Sequence, residues 1–478
     1  MMPRSALLLF ATAAAAPLAA AQEVSPEVRA VWVASLAPGI QAPGEVRTTV
    51  DALRRANLNT LIAQVRREGM VYFRSEIEPR ATTITGPSDW DPLTDVIAIA
   101  HDTSGGGARI DVSAWLNVFS VGRQRHLAGA SPAPIAEAHP EWFSREASGE
   151  AATFLDPAVP AVQDHFAALV AEVLTQYEVD GINLDFVRYP EAEAGYSPIA
   201  LARFRRITGF AGTPEASDEA WNAFRRDQVT GLVRRVMVTV LDLRPEATLS
   251  VCAVGFGHGP RGDQAFEELA PYRQVHQDWN RWAREGLVDI VMRMGYKRHH
   301  IPGHAAMFHE WAAFSQRLQR ESGRPVTLGI GGYFNEPANA LLQYRVALDL
   351  GLGTSLFSFH QPQGDARETG LTGSASPMWD ALGREIYPAP APAPRPTWRA
   401  GLGTVAGFLR DERGEPIDHG RVRLAERDAT QHTDGSGFFA FLHLPPGECH
   451  IEMFNPDGDV AGEVEAAVHP GTVTWVDL

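Results

Sequence analysis

The sequence predicts an α/β protein: a (β/α)8 barrel followed by a small all-β sandwich. Three observations carry this. Short Val/Ile/aromatic runs alternate with longer helical patterns eight times over about 360 residues. Strict alternation implies parallel strands, because parallel neighbours need crossover helices. A Pro/Ala-rich stretch, "YPAPAPAPRPT", then separates this unit from a tail of turn-punctuated strands. An open doubly wound sheet is the runner-up, but no glycine-rich phosphate loop follows the first strand.

The strand candidates are 28–35, 58–66, 109–117, 180–187, 248–255, 289–296, 326–333 and 353–359. Each is short and rich in β-branched, leucine or aromatic residues. Between them, "TVDALRRANL" and "QDHFAALVAEVLTQY" place apolar residues at helical spacing. Asp156 with Pro157 reads as the cap and first residue of the second of these helices, and "SPMWDALGREIY" reads as a last helix. The loops after strands 2, 3 and 4 are long, as expected where a barrel builds its cleft.

Residues 1–21 read as a cleaved export signal: Arg4, a short apolar core, then a small-residue cleavage site. No later run is long and apolar enough to span a bilayer, so the expected location is periplasmic or secreted. The barrel is assigned to 27–386, the linker to 387–400 and the sandwich to 401–478. Net charge is −16 with no basic run, which excludes nucleic acid as the main partner. The two cysteines, Cys252 and Cys449, fall in different units and read as buried apolar residues. "KRHH" with His304 and His309 gathers histidines, but no HExxH or paired Cys/His spacing appears. Neither a metal nor a cofactor is expected.

The richest stretch is "DGINLDFVRYP" (180–190). Side chains alternate along a strand. With Ile182 and Leu184 toward the helices, Asn183 and Asp185 face the lumen. Asp180 and Asp185 stand about 16 Å apart along such a strand, too far to act on one bond. Asp180 then belongs at the strand's foot, bonding backbone N–H groups. Asp185 sits near the C-terminal mouth, where barrels do chemistry, with Arg188 expected to keep it ionised. Other strand ends bring Gln64, Arg66, Trp115, Asn117, Met294, Tyr296, Tyr333, Phe359 and His360 to the same rim. With Arg188 and Tyr189 they make an aromatic and amide-rich mouth that suits sugar rings, which have apolar faces and polar edges.

These segments, together with "EWF", "FLDPAVPAVQDHF", "QDWNRWAREGLVDIVMRMGY" and "LGIGGYFN", resemble the family 10 glycosylhydrolase-like proteins across about 27–386. The resemblance implies an exported barrel acting on a polysaccharide, with cell-wall (peptidoglycan-derived) glycan favoured. "VDGINLD" is also similar to the fourth-strand motif of α-amylase-type hydrolases, which implies a nucleophile at Asp185. Where many relatives have a second aspartate, Phe186 stands here. Glycoside hydrolysis normally takes two carboxyl groups. Strand 6 ends without an acid, so the partner is sought in loops: Asp278 of "QDW" and Glu267 first, with Asp263, Glu268 and Glu336 behind them. The alternative function is a non-catalytic carbohydrate-binding or envelope-scaffold protein. The tail resembles a carboxypeptidase regulatory-like sandwich, which implies a fold and no reaction.

Overall fold

The computed structural model describes residues 25–477 except 125–126, 263 and 428. The export-signal reading, and Asp263, therefore lie outside the described residues. Eight parallel strands close into a barrel: β1 (Arg29–Val33), β2 (Thr60–Arg67), β3 (Asp111–Asn117), β4 (Gly181–Asp185), β5 (Thr248–Val254), β6 (Ile290–Met294), β7 (Val326–Gly331) and β8 (Gly353–Phe357). They pair in sequence order, and β8 closes on β1. Each falls inside the segment expected from the sequence, except that β2 runs one residue further, to Arg67.

Alternation divides each strand between two cores. Val31, Val33, Ile182, Leu184, Val251 and Val291 pack outward in one large core with the helices. Trp32, Ile62, Trp115, Cys252 and Met292 fill the lumen. The helices that matter below are α1 (Pro43–Arg55), α2 (Pro92–His101), α3 (Pro160–Gln176), α4 (Pro198–Thr208), α5 (Glu219–Leu243), α6 (Trp279–Arg284), α7 (Pro302–Ser322) and α8 (Pro337–Asp349).

One capping assignment changes. α3 starts at Pro160 with Val159 as its cap residue, not at Asp156. The Asp156 carboxylate is fully buried instead. It accepts from Ala158 N (3.0 Å), Ser197 N (3.3 Å) and the Tyr189 hydroxyl (3.3 Å). Burial pushes its pKa up, and those donors offset it only in part.

Residues 387–400 do not hang free between two bodies. The carbonyls of Ala389, Ala391 and Pro392 accept from Arg29, Asn59 and Glu27 at the barrel's foot. The tail forms a three-stranded and a four-stranded sheet, mostly antiparallel, around its own core. It docks on the helices of the third and fourth units. Arg203 of α4 makes two 2.8 Å bonds to Asp418, and Asp164 of α3 bridges Arg235 and Ser436. Cys252 and Cys449 are both free and buried.

Candidate functional site

The C-terminal mouth of the barrel holds a cavity of about 430 Å3. Its floor is aromatic. Phe357 lies 5.3 Å from Tyr296, 6.2 Å from Trp32 and 6.3 Å from Trp115, ring centre to ring centre. Each ring comes from a different strand end, because a barrel's inward positions converge on its axis.

Asp185 is the last residue of β4 and lines this cavity. Its Oδ1 accepts from Phe186 N (2.8 Å) and its Oδ2 from Trp115 Nε1 (3.1 Å). Donors to both oxygens favour the ionised form. Burial nonetheless pushes its pKa up, and the Phe186 amide, the Arg188 charge and Trp115 offset that only in part. The Arg188 charge acts in the expected direction, favouring the ionised form, but it does not outweigh burial. Arg188 makes no contact ion pair with it. Its guanidinium stacks over Phe186 (5.1 Å) and Phe256 (6.0 Å) and donates to the Tyr189 carbonyl (3.0 Å).

Of the residues expected at the mouth, Gln64, Trp115, Asn117, Asp185, Arg188, Met294 and Tyr296 line the cavity together. Gln64 is fixed by Ser35, whose N–H (3.0 Å) and hydroxyl (2.9 Å) donate to Oε1, and it donates to Asn117 Oδ1 at 3.3 Å. Asn183 faces the lumen but lies beneath the floor. There it accepts from Trp32 Nε1 (3.4 Å) and donates to Ser250 Oγ (2.8 Å).

The remaining expected residues are elsewhere. Arg66 turns out of the barrel because a bulge between Gln64 and Arg66 inserts a residue and reverses alternation beyond it. Its guanidinium meets Glu78 at 2.6 and 2.8 Å and also donates to the Asn117 and Val118 carbonyls, fully buried. Tyr189 is a buried pillar on Asp156. Asp278 caps α6 through Arg281 N at 3.2 Å, and Glu267 sits on an exposed turn; neither lines the cavity. Tyr333 packs on Tyr296 (6.2 Å) and Phe357 (5.9 Å) from a neighbouring hollow. His360 follows β8 outside the cavity lining, with its carbonyl on Gly373 N. In the "KRHH" region the His299 and His309 rings are 6.3 Å apart. Among the described residues no group of three or more His, Cys, Asp or Glu is placed to hold a metal.

The same bulge brings in two residues that sequence reasoning passed over. Arg67 takes the inward place, and Glu68 follows it at the strand tip with φ +52°. Both line the cavity with Asp185. Glu68 pairs with Arg67 Nη2 at 2.8 Å, and its carbonyl accepts from Gln124 Nε2 at 3.0 Å. Gly122 faces its side chain so closely that a methyl there would touch Cγ at 3.4 Å. The mouth thus carries a second carboxylate, at the end of β2 rather than in the loops after β5. The one signal in the sequence was "REG" directly after a strand. Gln277, fully buried, was also missed. It donates to the Cys252 carbonyl (3.1 Å) and accepts from Val254 N (2.9 Å), and so fixes the end of β5 beside the cavity.

A closed parallel barrel with two carboxylates, amides and aromatic rings at its C-terminal mouth has its polar groups at the end where barrels of this type place their functional sites. The chain belongs to the glycosyl hydrolase-like 10 family, whose model matches residues 27–338. It is 28% identical over 309 residues to "Glycosyl hydrolase DigH" of Escherichia coli O6:H1, covering 58% of this chain and 66% of that protein. It is 22% identical over 407 residues to "Glycosyl hydrolase YngK" of Bacillus subtilis, covering 80% of this chain and 76% of that one. Among solved structures, the catalytic domain of β-amylase from Paenibacillus polymyxa superposes with a TM-score of 0.53 at 10% identity. That match covers 76% of this chain and 99% of that one, a likeness of fold.

Proposed function

We propose that this protein is an exported glycoside hydrolase that cleaves an extracellular polysaccharide, with cell-wall glycan as the substrate class. The observation that carries the reading is the shared cavity of Asp185 and Glu68 at the barrel mouth. Asp185, with both oxygens accepting hydrogen bonds, is the nucleophile or the stabiliser of positive charge at the anomeric carbon. Glu68 has no partner on its second oxygen among the described residues and gives a proton to the leaving oxygen. The aromatic floor takes the apolar face of a sugar, and Gln64 and Asn117 take its hydroxyls. Two arginines add a preference. Arg67 Nη1 has no acceptor among the described residues, and Arg188 has one backbone bond. Donors of this kind suit a sugar bearing a carboxylate, as the lactyl ether of cell-wall glycan does.

The test is a reducing-end assay on a panel of glycans with wild type, Asp185→Asn and Glu68→Gln. Both variants are expected to lose turnover while still binding the chain. Equal turnover by Asp185→Asn and wild type removes Asp185 from the mechanism. Phe186, in place of a second aspartate, favours a binding-only barrel as the alternative. That reading is upheld if wild type binds a glycan and cleaves none of the panel.

A further inference from the structure

Arg293 is the odd member of the buried arginines. Arg66, Arg203, Arg225 and Arg399 all meet carboxylates, amide oxygens or carbonyls. Arg293 is 0% exposed, yet none of Nε, Nη1 and Nη2 has an acceptor among the described residues. It lies on β6 between Met292 and Met294. Those two pack toward the lumen, so alternation sends its side chain outward to α7. There its Cζ is 5.7 Å from the Phe308 ring centre and 6.0 Å from that of Trp311. On the other side lie two glycine backbones. A Cβ at Gly295 would meet Nη2 at 2.3 Å, and one at Gly255 would meet Nη1 at 3.2 Å.

The charge is uncompensated as well as the hydrogen bonding. The one titratable group that raises its pKa is the Tyr296 phenol, and burial drives that pKa down to about 9. Lys297 deepens the deficit. Its ammonium donates to the Gly255 carbonyl at 3.1 Å, and its pKa is lowered by burial and then by the Arg293 charge. Two cations thus lie near one another, the guanidinium fully buried and the ammonium partly so, without a carboxylate in contact among the described residues. Aromatic faces repay a buried guanidinium in part, but they leave its N–H donors unmet.

We propose that Arg293 and Lys297 hold a monatomic anion, a halide, behind Tyr296 and between the loops that follow β5 and β6. The tight flanking by two glycines and two rings suits an ion the size of a water molecule rather than a tetrahedral oxyanion. The site backs directly on the cavity wall, since Tyr296 lines the cavity and Gly255 precedes Phe256 at its rim. Its occupancy ties the two loops together.

The experiment uses the full chain, exchanged into sodium gluconate, a carboxylate too bulky for the site. Chloride or bromide is titrated in at constant ionic strength while thermal unfolding is followed. The expected result is a saturable rise in Tm of a few degrees with either halide. Arg293→Met should abolish the rise and melt in gluconate no lower than wild type. Crystals grown in bromide should show an anomalous peak within hydrogen-bond distance of the guanidinium. The proposal is overturned if halide and gluconate give the same Tm. It is also overturned if the guanidinium carries only water or the unpartnered Gln343 Oε1. Should Arg293→Met not fold, the wild-type titration and the bromide peak decide alone. None of these readouts depends on glycan cleavage.

Discussion

Asp180 precedes β4 and Asp185 ends it, and the two live in opposite chemical worlds. Asp180, at the barrel's foot, is saturated. It accepts from Val112 N (2.8 Å), pairs with Arg109 (2.6 Å), and lies 2.8 Å from the His101 ring nitrogen. Burial pushes its pKa up, but His101, the Val112 amide and Arg109 outweigh burial and hold the carboxyl below its ordinary range. Asp185, at the mouth, has two neutral donors, a guanidinium that does not touch it, and open space in front. Its pKa is raised. A carboxylate whose neighbours satisfy it is part of the scaffold. One held by fewer neighbours, facing a cavity, has capacity left for a substrate.

The largest expected effect breaks this pair apart. Asp185→Asn should reduce glycan turnover by roughly 10³-fold and leave thermal stability equal or higher, because it removes a charge that burial disfavours. Asp180→Asn should do the reverse, costing about 2 kcal/mol in denaturant unfolding with kcat retained in the folded fraction. Loss of turnover in a fully folded Asp180→Asn would mean that the foot of the barrel is coupled to the mouth.

Strand alternation made that pair legible from sequence. It placed Asp185, Trp115 and Asn117 correctly because β3 and β4 are regular. It failed on β2, where the bulge exchanges Arg66 for Arg67 and delivers Glu68. A bulge is set by the pairing of neighbouring strands, and one strand's residue pattern does not reveal it. Asp278 is suggested by the "QDW" resemblance and Glu267 by its loop, and loop paths depend on tertiary packing that local sequence does not specify. Asp156 was misread for the same reason, its cap-like Asp-Pro signal being overruled by a buried network with Tyr189 and Ser197.

The adjacent arginines extend the comparison at smaller cost. Arg66 is the saturated one. Burial alone would raise Glu78, but Arg66 and His165 bring its pKa down to about 2. Arg66→Ala leaves that carboxylate buried beside His165 alone and should cost about 3–5 kcal/mol in urea unfolding. Its stabilisation is present above the unfolded carboxylate pKa and is lost as pH falls toward 2, since the folded pKa is depressed. Arg67, with a spare donor in the cavity, should cost less than about 1 kcal/mol as Arg67→Ala and act instead by raising KM. A stability loss from Arg67→Ala matching that of Arg66→Ala would erase the distinction between the two.

Asp278 supplies the finest test, because it has a raised pKa without the open space. Burial lifts it to about 6, against the Arg281 amide and charge, with Glu267 adding to the rise. Its native state therefore binds a proton more tightly than the unfolded chain. Between the unfolded value near 4 and the folded value near 6 that extra proton stabilises the fold. Stability from this group falls as pH rises through that window and then levels off. The shift corresponds to about 2–3 kcal/mol. Asp278→Asn keeps a competent cap and should flatten the pH slope between about 4 and 6 relative to wild type. It should raise stability near pH 7 by about 1–2 kcal/mol and leave turnover unchanged. If folded Asp278→Asn loses turnover, a raised pKa alone was the better guide to the catalytic acid, and Glu68 gives up that role.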